Sequence, residues 1–439
     1  MKELQNIKIA YCSLGCKVNL YETEAIINKL VDNGATLVDY SNENADVYII
    51  NTCSVTNISD QKSKKMVRQA IKRNPNAIIA VMGCSSQLQF DEYKKIEGIN
   101  ILLGTSNRNE MFNLILENLK GRSFDSIYCN YLDNKKYEEL KVTNFLDRTR
   151  GFIKIQDGCN NFCSYCTIPY ARGLIKSRDK DNIIDELSKM TANGIKEIVL
   201  TGINTGAYGK DLKDYSFSEL LDDICNNVKG LGVLRISSIE ATEITKELLD
   251  VIKKHESHFC MHLHIPLQGG ADATLKRMGR KYDLAYYEEK INLIRSYFPL
   301  INITTDVLTG FNGETSEDFA SSLIFIEKIG FGELHVFPYS PRPMTVAYKY
   351  PDRIDKITKK YRVSELLALN ERLALNYRNK FKGTIQEVIV EEIKDGYAYG
   401  HTSNYIEVVI KDNGLKENDK VKVRITVVGY PKSKGELYV

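Results

Sequence analysis

Three cysteines in the stretch Cys159-Asn160-Asn161-Phe162-Cys163-Ser164-Tyr165-Cys166, spaced four and then three residues apart, can close on one metal centre. Thiolates favour soft centres, so the residue types point to zinc or to an iron–sulfur cluster. A structural zinc site takes four protein ligands, yet the next cysteine in the chain is Cys225. Three thiolates on a four-iron cluster leave one iron open, and an open position suggests chemistry rather than structure. A second set of three lies upstream. These are Cys16 in Leu14-Gly15-Cys16-Lys17-Val18-Asn19, Cys53 in Asn51-Thr52-Cys53-Ser54-Val55-Thr56, and Cys84 in Gly83-Cys84-Ser85-Ser86-Gln87.

The elements around the upstream set follow a repeating order. Ile7–Tyr11, Val47–Asn51, Ile78–Val81 and Ile101–Leu103 read as apolar strands. Helices are expected from about Leu20 to Asp32 and from about Ser59 to Arg73, the second stopping before Pro75. Alternating strands and helices predict a doubly wound parallel sheet. Each cysteine falls just after one of the first three strands, and successive strand-to-helix loops share one carboxyl edge, where ligands bind. The three thiols can therefore converge there, or they can be three separate buried cysteines. Cys12 reads as a packing residue, and Cys129, Cys225 and Cys260 have no partner by spacing.

Downstream of a charged, linker-like stretch, Asp133–Glu139, six more strands are expected: Phe152–Gln156, Ile198–Thr201, Leu234–Ser237, His262–Pro266, Ile303–Leu308 and Leu334–Phe337. Helical segments lie between them, so the units should curl into an open partial barrel, (β/α)6 rather than a closed (β/α)8. Chemistry in such barrels sits at the carboxyl ends of the strands. The CxxxCxxC loop follows the first strand. The later strand ends supply Thr201, Gly202, Asn204, Ser238, Glu240 and Gln268, each fit for a ligand contact or for a turn. His262 and His264 point to one face by strand alternation; with no third ligand in view they read as pocket or core histidines. Lys356–Phe381 reads as one long helix. After it come short strands at Gln386–Glu391, Tyr397–His401, Ile406–Ile410 and Val421–Val427, which predict a small β-barrel.

At 439 residues, two or three domains are expected. We place them at 1–132, 141–375 and 380–439. A hydrophobic content of 43% with 27% charged residues describes a globular chain. No apolar run approaches a membrane span, and the first residues lack the apolar core of a signal peptide, which implies a cytoplasmic location. The net charge of +3 is small, so a nucleic-acid surface must come from local clustering. Two clusters qualify. Lys65, Arg68 and Lys72 share one face of the helix after Cys53. Lys420, Lys422 and Arg424 alternate with apolar residues, which puts the three cations on one face of a strand, with Tyr405 and Tyr430 expected near them.

The CxxxCxxC pattern, with Tyr165 before its last cysteine, resembles the signature of radical S-adenosylmethionine (SAM) enzymes. The six cysteines in their six contexts, over nearly the whole chain, resemble the methylthiotransferases within that superfamily. This resemblance implies two [4Fe-4S] clusters. One, on Cys159, Cys163 and Cys166, would reduce SAM to a 5′-deoxyadenosyl radical; the other, on Cys16, Cys53 and Cys84, would present sulfur. It also implies SAM contacts among Tyr165, Thr201, Gly202, Asn204, Ser238, Glu240 and Gln268, a TRAM-like RNA-binding domain at the end, and an electron donor such as flavodoxin or ferredoxin. The sulfur donor is not implied. Within the family, Asn160-Asn161-Phe162, Thr201-Gly202-Ile203-Asn204-Thr205-Gly206 and Asn51-Thr52-Cys53-Ser54-Val55-Thr56-Asn57 look most like the enzymes that methylthiolate C2 of N6-threonylcarbamoyladenosine in tRNA. Isopentenyladenosine in tRNA and an aspartate of a ribosomal protein are the family's other substrates, and an RNA-binding protein with structural metal sites is the non-enzymatic alternative. In Ser340-Pro341-Arg342-Pro343-Met344-Thr345-Val346-Ala347, Met344 stands where relatives tend to have glycine.

Overall fold

A computed structural model describes residues 3–121, 123–142 and 149–438. The outermost ends of the first and third expected domains, residues 1, 2 and 439, lie outside the described residues. So do residues 143–148, close to the expected start of the second. The chain gathers into two compact units. The first comprises Met1–Leu146, Lys154–Glu186 and Ser340–Tyr348; the second comprises Asp147–Ile153, Leu187–Tyr339 and Lys349–Val439.

Six parallel strands organise the first unit, in the order Thr36–Leu37, Lys8–Ser13, Val47–Thr52, Ile78–Gly83, Ile101–Leu103 and Asp125–Ile127. Strand residues alternate between two cores, as period-two geometry requires. Ile9, Val47, Ile49, Ala80 and Met82 pack with Ile26, Ile27 and Leu30 of helix Lys17–Asp32 and with Met111 and Ile115 of helix Met111–Lys120. Ala10, Tyr48, Ile50 and Val81 face the other way, onto Val67 and Ala70 of helix Asn57–Arg73. Helices on both faces make this the expected doubly wound sheet. The three cysteine-bearing loops leave the carboxyl ends of three neighbouring strands.

The second unit contains the six expected barrel strands as two three-stranded halves. One half is ordered Val233–Ile236, Glu197–Thr201, Arg150–Lys154, and the other His262–His264, Asn302–Thr309, Glu333–Pro338. An isolated parallel bridge between Leu234 and Phe259 joins them, supported by the Cys260 N–H donating to the Leu234 carbonyl at 2.9 Å. The six strands thus follow one another in chain order around an open partial barrel. The first begins and ends two residues earlier than the spacing predicts.

Helix Lys356–Asn379, capped by the Asp355 carboxylate accepting from the Ile357 and Thr358 N–H groups, leads into a closed five-stranded barrel. Its order is Ile385–Lys394, Tyr397–Thr402, Glu407–Lys411, Ser433–Leu437, Lys420–Val427. Val388, Val408, Ile410, Val423 and Ile425 fill it together with Tyr377 and Phe381. The strand Ser433–Leu437 was not expected, because Ser-Lys-Gly-Glu-Leu carries no branched or aromatic alternation. It closes the barrel by pairing parallel to one neighbour and antiparallel to the other. No helix among the described residues is long and apolar enough to cross a membrane.

Candidate metal centres

All six cysteines of the two triads belong to the first unit, and all ten cysteines of the chain carry thiols. The Gly-Cys pairs of the upstream set have a physical cause. Gly83, just before Cys84, has φ +113°, and a Cβ there would lie 2.3 Å from Asn51 Oδ1 and 2.5 Å from the Thr52 carbonyl. Gly15, just before Cys16, has φ +107°, and its Cβ would lie 3.1 Å from Cys53 Sγ. Only glycine adopts these backbones without strain, so both loops turn back onto the Cys53 loop.

The three upstream thiols feel one another. Burial pushes the Cys84 thiol up to about 12, with the Arg172 side chain acting against this and Cys16 and Cys53 adding to it. Burial also raises Cys53, where Cys16 again contributes. Cys53 and Cys84 are buried and Cys16 is exposed, so one thiol stands at the surface and two within. Metal binding takes the proton from such thiols, which offsets the burial penalty.

In the downstream set, Cys163 is buried while Cys159 and Cys166 are half-buried. The loop is folded tightly. The Cys166 N–H donates to the Cys163 carbonyl at 2.9 Å, and the Cys159 N–H to the Gly173 carbonyl at 3.0 Å. Phe162 adopts a left-handed φ of 46°, a conformation uncommon for an aromatic residue, and its ring meets Tyr170 edge-on at 5.8 Å. The Asn161 N–H donates to Cys159 Sγ at 3.5 Å, the kind of bond that stabilises a thiolate. Among the described residues no three His, Cys, Asp or Glu side chains are arranged around a single metal ion. In a four-iron cluster each thiolate binds a separate iron, so the sulfurs stand further apart. Neighbouring thiols with a nearby cation at the upstream triad, and three thiols on one tight loop with an N–H···S bond at the downstream one, are donor chemistry that fits such a cluster.

The segment Ser340–Tyr348, which the sequence left without a clear role, is tied to both cysteine regions. Asn57 donates from its N–H to Ser340 Oγ at 3.3 Å and from Nδ2 to the Pro341 carbonyl at 3.2 Å. Arg342 donates to Asn57 Oδ1 at 2.6 Å and pairs with Asp60. At the other end, the Ala347 N–H donates to the carbonyl of Ser164, inside the CxxxCxxC loop, at 2.8 Å. Met344 and Val346 are left exposed between these anchors.

Sequence reading missed a buried ionic cluster beside the triads. Glu22 lies on the helix that starts after Cys16. It accepts from Lys154 Nζ at 2.7 Å and from Arg172 at 2.7 and 3.1 Å, and pairs with Arg108 at 2.5 Å. Asp157 accepts from Lys154 at 2.6 Å and from Arg172 at 3.2 Å. The expected linker is part of the same cluster. Glu138 accepts from Arg108 at 2.8 Å, Glu139 from Arg178 at 2.8 Å, and the Tyr137 hydroxyl donates to the Lys154 carbonyl at 2.7 Å. Asp133–Glu139 is therefore irregular but docked, because its carboxylates are needed to balance buried cations.

In the second unit, the other expected ligand contacts stand at carboxyl ends of barrel strands. Thr201 is buried at the end of Glu197–Thr201, followed by half-buried Gly202 and buried Asn204. Ser238 and Glu240 are half-buried after Val233–Ile236. Thr205 and Ser237 hydroxyls, 3.2 Å apart, join these two loops. Glu240 is paired with Arg280. Gln268 is half-buried with a left-handed φ of 68°, and its backbone bridges to Val307. Tyr165 is half-buried in its own loop of the first unit. His262 and His264 share the Thr304 hydroxyl, each at 2.9 Å, and His264 meets Asp306 at 3.3 Å. They are engaged pocket histidines, as expected.

Both basic clusters are exposed. Lys65, Arg68 and Lys72 form an outer stripe on Asn57–Arg73. Lys420, Lys422 and Arg424 alternate with the inward residues of their strand. The two tyrosines expected beside that strip are used elsewhere. Tyr405 is stacked between His262 and His401, at 4.9 and 4.7 Å, with Arg235 and Arg150 over its ring. Tyr430 accepts from Asn370 Nδ2 at 2.7 Å and lies under Arg378. Each ring gains more from buried cation–π and hydrogen-bond partners than from solvent.

Two family models match the chain: the Radical SAM superfamily over residues 153–326 and Uncharacterized protein family UPF0004 over residues 8–104. The chain is 42% identical over 433 residues to the threonylcarbamoyladenosine tRNA methylthiotransferase MtaB of Bacillus subtilis (strain 168), covering 98% of this chain and 96% of that one. It is 34% identical to the protein of the same name from Aquifex aeolicus (strain VF5), covering 96% and 100%. It is 36% identical to the tRNA-2-methylthio-N(6)-dimethylallyladenosine synthase of Thermoanaerobacter pseudethanolicus, covering 86% and 81%. Among solved structures, the radical SAM methyltransferase TsrM from Kitasatospora setae matches with a TM-score of 0.57 at 14% identity, over 79% of this chain and 77% of that one. That likeness is one of fold. The six cysteines, the partial barrel and the near full-length identity agree: the chain belongs to the radical SAM methylthiotransferase family.

Proposed function

We propose that this chain adds a methylthio group to C2 of N6-threonylcarbamoyladenosine, next to the anticodon of tRNA, using two [4Fe-4S] clusters and SAM. The observation that carries the reading is the gathering of both cysteine triads in one compact unit, in a chain 42% identical over 98% of its length to a relative named for that reaction. The Bacillus subtilis relative matches at 42% over 98% of this chain, against 36% over 86% for the dimethylallyl enzyme of Thermoanaerobacter pseudethanolicus, which favours the threonylcarbamoyl nucleoside.

When bound, the clusters and SAM would supply a radical able to take hydrogen from an inert C–H bond, a sulfur and a methyl group; no acid–base side chain can do this. Cys159, Cys163 and Cys166 would hold one cluster, and Cys16, Cys53 and Cys84 the other. Asn161 steadies the Cys159 thiolate. Tyr165, Thr201, Gly202, Asn204, Ser238, Glu240 and Gln268 are assigned to SAM. The exposed Met344 and Val346, on a segment anchored to both cysteine regions, offer an apolar seat for a base. Lys65, Arg68, Lys72, Lys420, Lys422 and Arg424 would meet backbone phosphates. Electrons would come from a small donor such as flavodoxin or ferredoxin, in the cytoplasm.

Iron and acid-labile sulfide analysis after anaerobic reconstitution tests the cofactor part. The expected content is about two four-iron clusters per chain. One zinc per triad, with no sulfide, would contradict the proposal.

A further inference from the structure

Arg172 ends the short helix Ile168–Arg172 that follows Cys166, and its side chain is wholly buried. It reaches the residue that holds the Cys16 and Cys53 loops. Its Nη2 donates to Asn19 Oδ1 at 2.6 Å. Asn19 in turn donates from Nδ2 to the carbonyls of Leu14 at 2.8 Å and Thr52 at 3.1 Å, next to Cys16 and Cys53. The Asn19 carbonyl accepts from Asn51 Nδ2 at 2.9 Å. The positive charge of Arg172 also acts on the buried Cys84 thiol, against the effect of its burial. Its Nη1 is fixed by Glu22 and Asp157. A rigid guanidinium with five donors can serve all these acceptors at once, which a lysine cannot.

We propose that Arg172 is a positioning residue for the group held by Cys16, Cys53 and Cys84: it locks the Cys16 and Cys53 loops through Asn19 and places a fixed positive charge near the Cys84 sulfur. This rests on the reading of that triad as a cluster site. Partners that orient metal ligands typically alter affinity 10- to 100-fold when lost. A cation beside a ligand sulfur favours the more negative, reduced state, so its removal should move the midpoint potential downward.

The test uses the full chain carrying Cys159→Ala, Cys163→Ala and Cys166→Ala, so that only the upstream site is read. This parent is reconstituted anaerobically and compared with Arg172→Lys and Arg172→Gln added to it. Iron release to a chelator and the midpoint potential from an electron-paramagnetic-resonance redox titration are measured. Arg172→Lys should lose iron roughly 10-fold faster than the parent at an unchanged potential. Arg172→Gln should lose iron at least as fast and titrate at a lower potential. If Arg172→Gln does not fold, the lysine variant alone decides, since only a positioning role predicts faster release at constant potential. Parent-like release and potential in the folded variants would overturn the assignment of Arg172 alone. A parent that takes up no iron at all would overturn the cluster reading, and this inference with it.

Discussion

Replacing Cys159, Cys163 and Cys166 together with alanine should reduce 5′-deoxyadenosine formation from SAM to background while leaving about half of the iron in place. The two triads share a unit but not a loop. The downstream triad is closed by its own backbone bonds, from Cys166 to Cys163 and from Cys159 to Gly173. The upstream triad is held by Asn19, Asn51 and the two glycine turns. Removing the first set therefore removes one site without unlocking the other. Cleavage measured by chromatography, with iron measured on the same sample, checks both halves of the expectation. SAM cleavage persisting in the triple variant would show that the reductive chemistry has been assigned to the wrong cysteines.

The second large effect is on stability. Glu22→Gln should cost about 3–5 kcal/mol, the usual consequence of removing one partner from a buried ionic group. Glu22 is fully buried, and Arg108, Lys154 and Arg172 all converge on it. A neutral amide of the same shape leaves those cations to Asp157 and Glu138. Burial acts to raise the Glu22 carboxyl, but Arg108, Arg172 and Lys154 outweigh it and hold the group well below the usual carboxylate range. Its stabilising contribution is therefore fully present above the unfolded value of about 4.3. It is lost only as pH falls through the folded value. The gap between wild type and Glu22→Gln in urea unfolding should be constant near neutrality and shrink below about pH 4. A variant within 1 kcal/mol of wild type at pH 7 would mean the cluster is better solvated than its geometry implies.

Much of this architecture is legible in the sequence, and the parts that are not share a cause. Strand-to-helix alternation places Cys16, Cys53 and Cys84 on one sheet edge, while the turns at Gly15 and Gly83 that fold two of these loops onto the third emerge only in the structure. Lys420, Lys422 and Arg424 can be assigned to an outer face because a strand's period is two. By contrast, Glu22, Arg108, Glu138, Lys154, Asp157 and Arg172 come from separate segments with no common period. A charge destined for the interior looks like any surface charge until its partners are known. The same holds for Tyr405, whose histidine and arginine neighbours come from distant strands. Ser433–Leu437 escapes notice because it pairs through backbone, with little apolar pattern of its own. Met344 suggests a departure from the family pattern, yet the segment's position is set by Arg342, Asn57 and the Ala347 N–H, not by that residue.

The central claim is the reaction and its substrate, and mass spectrometry of nucleosides from total tRNA tests it most directly. Cells lacking any methylthiotransferase are compared with the same cells carrying this gene. The account predicts the appearance of 2-methylthio-N6-threonylcarbamoyladenosine, with the unmethylthiolated nucleoside falling in proportion. Methylthio-isopentenyladenosine in its place would contradict the substrate assignment, and the absence of both from cells containing soluble, iron-loaded protein would contradict tRNA as the target.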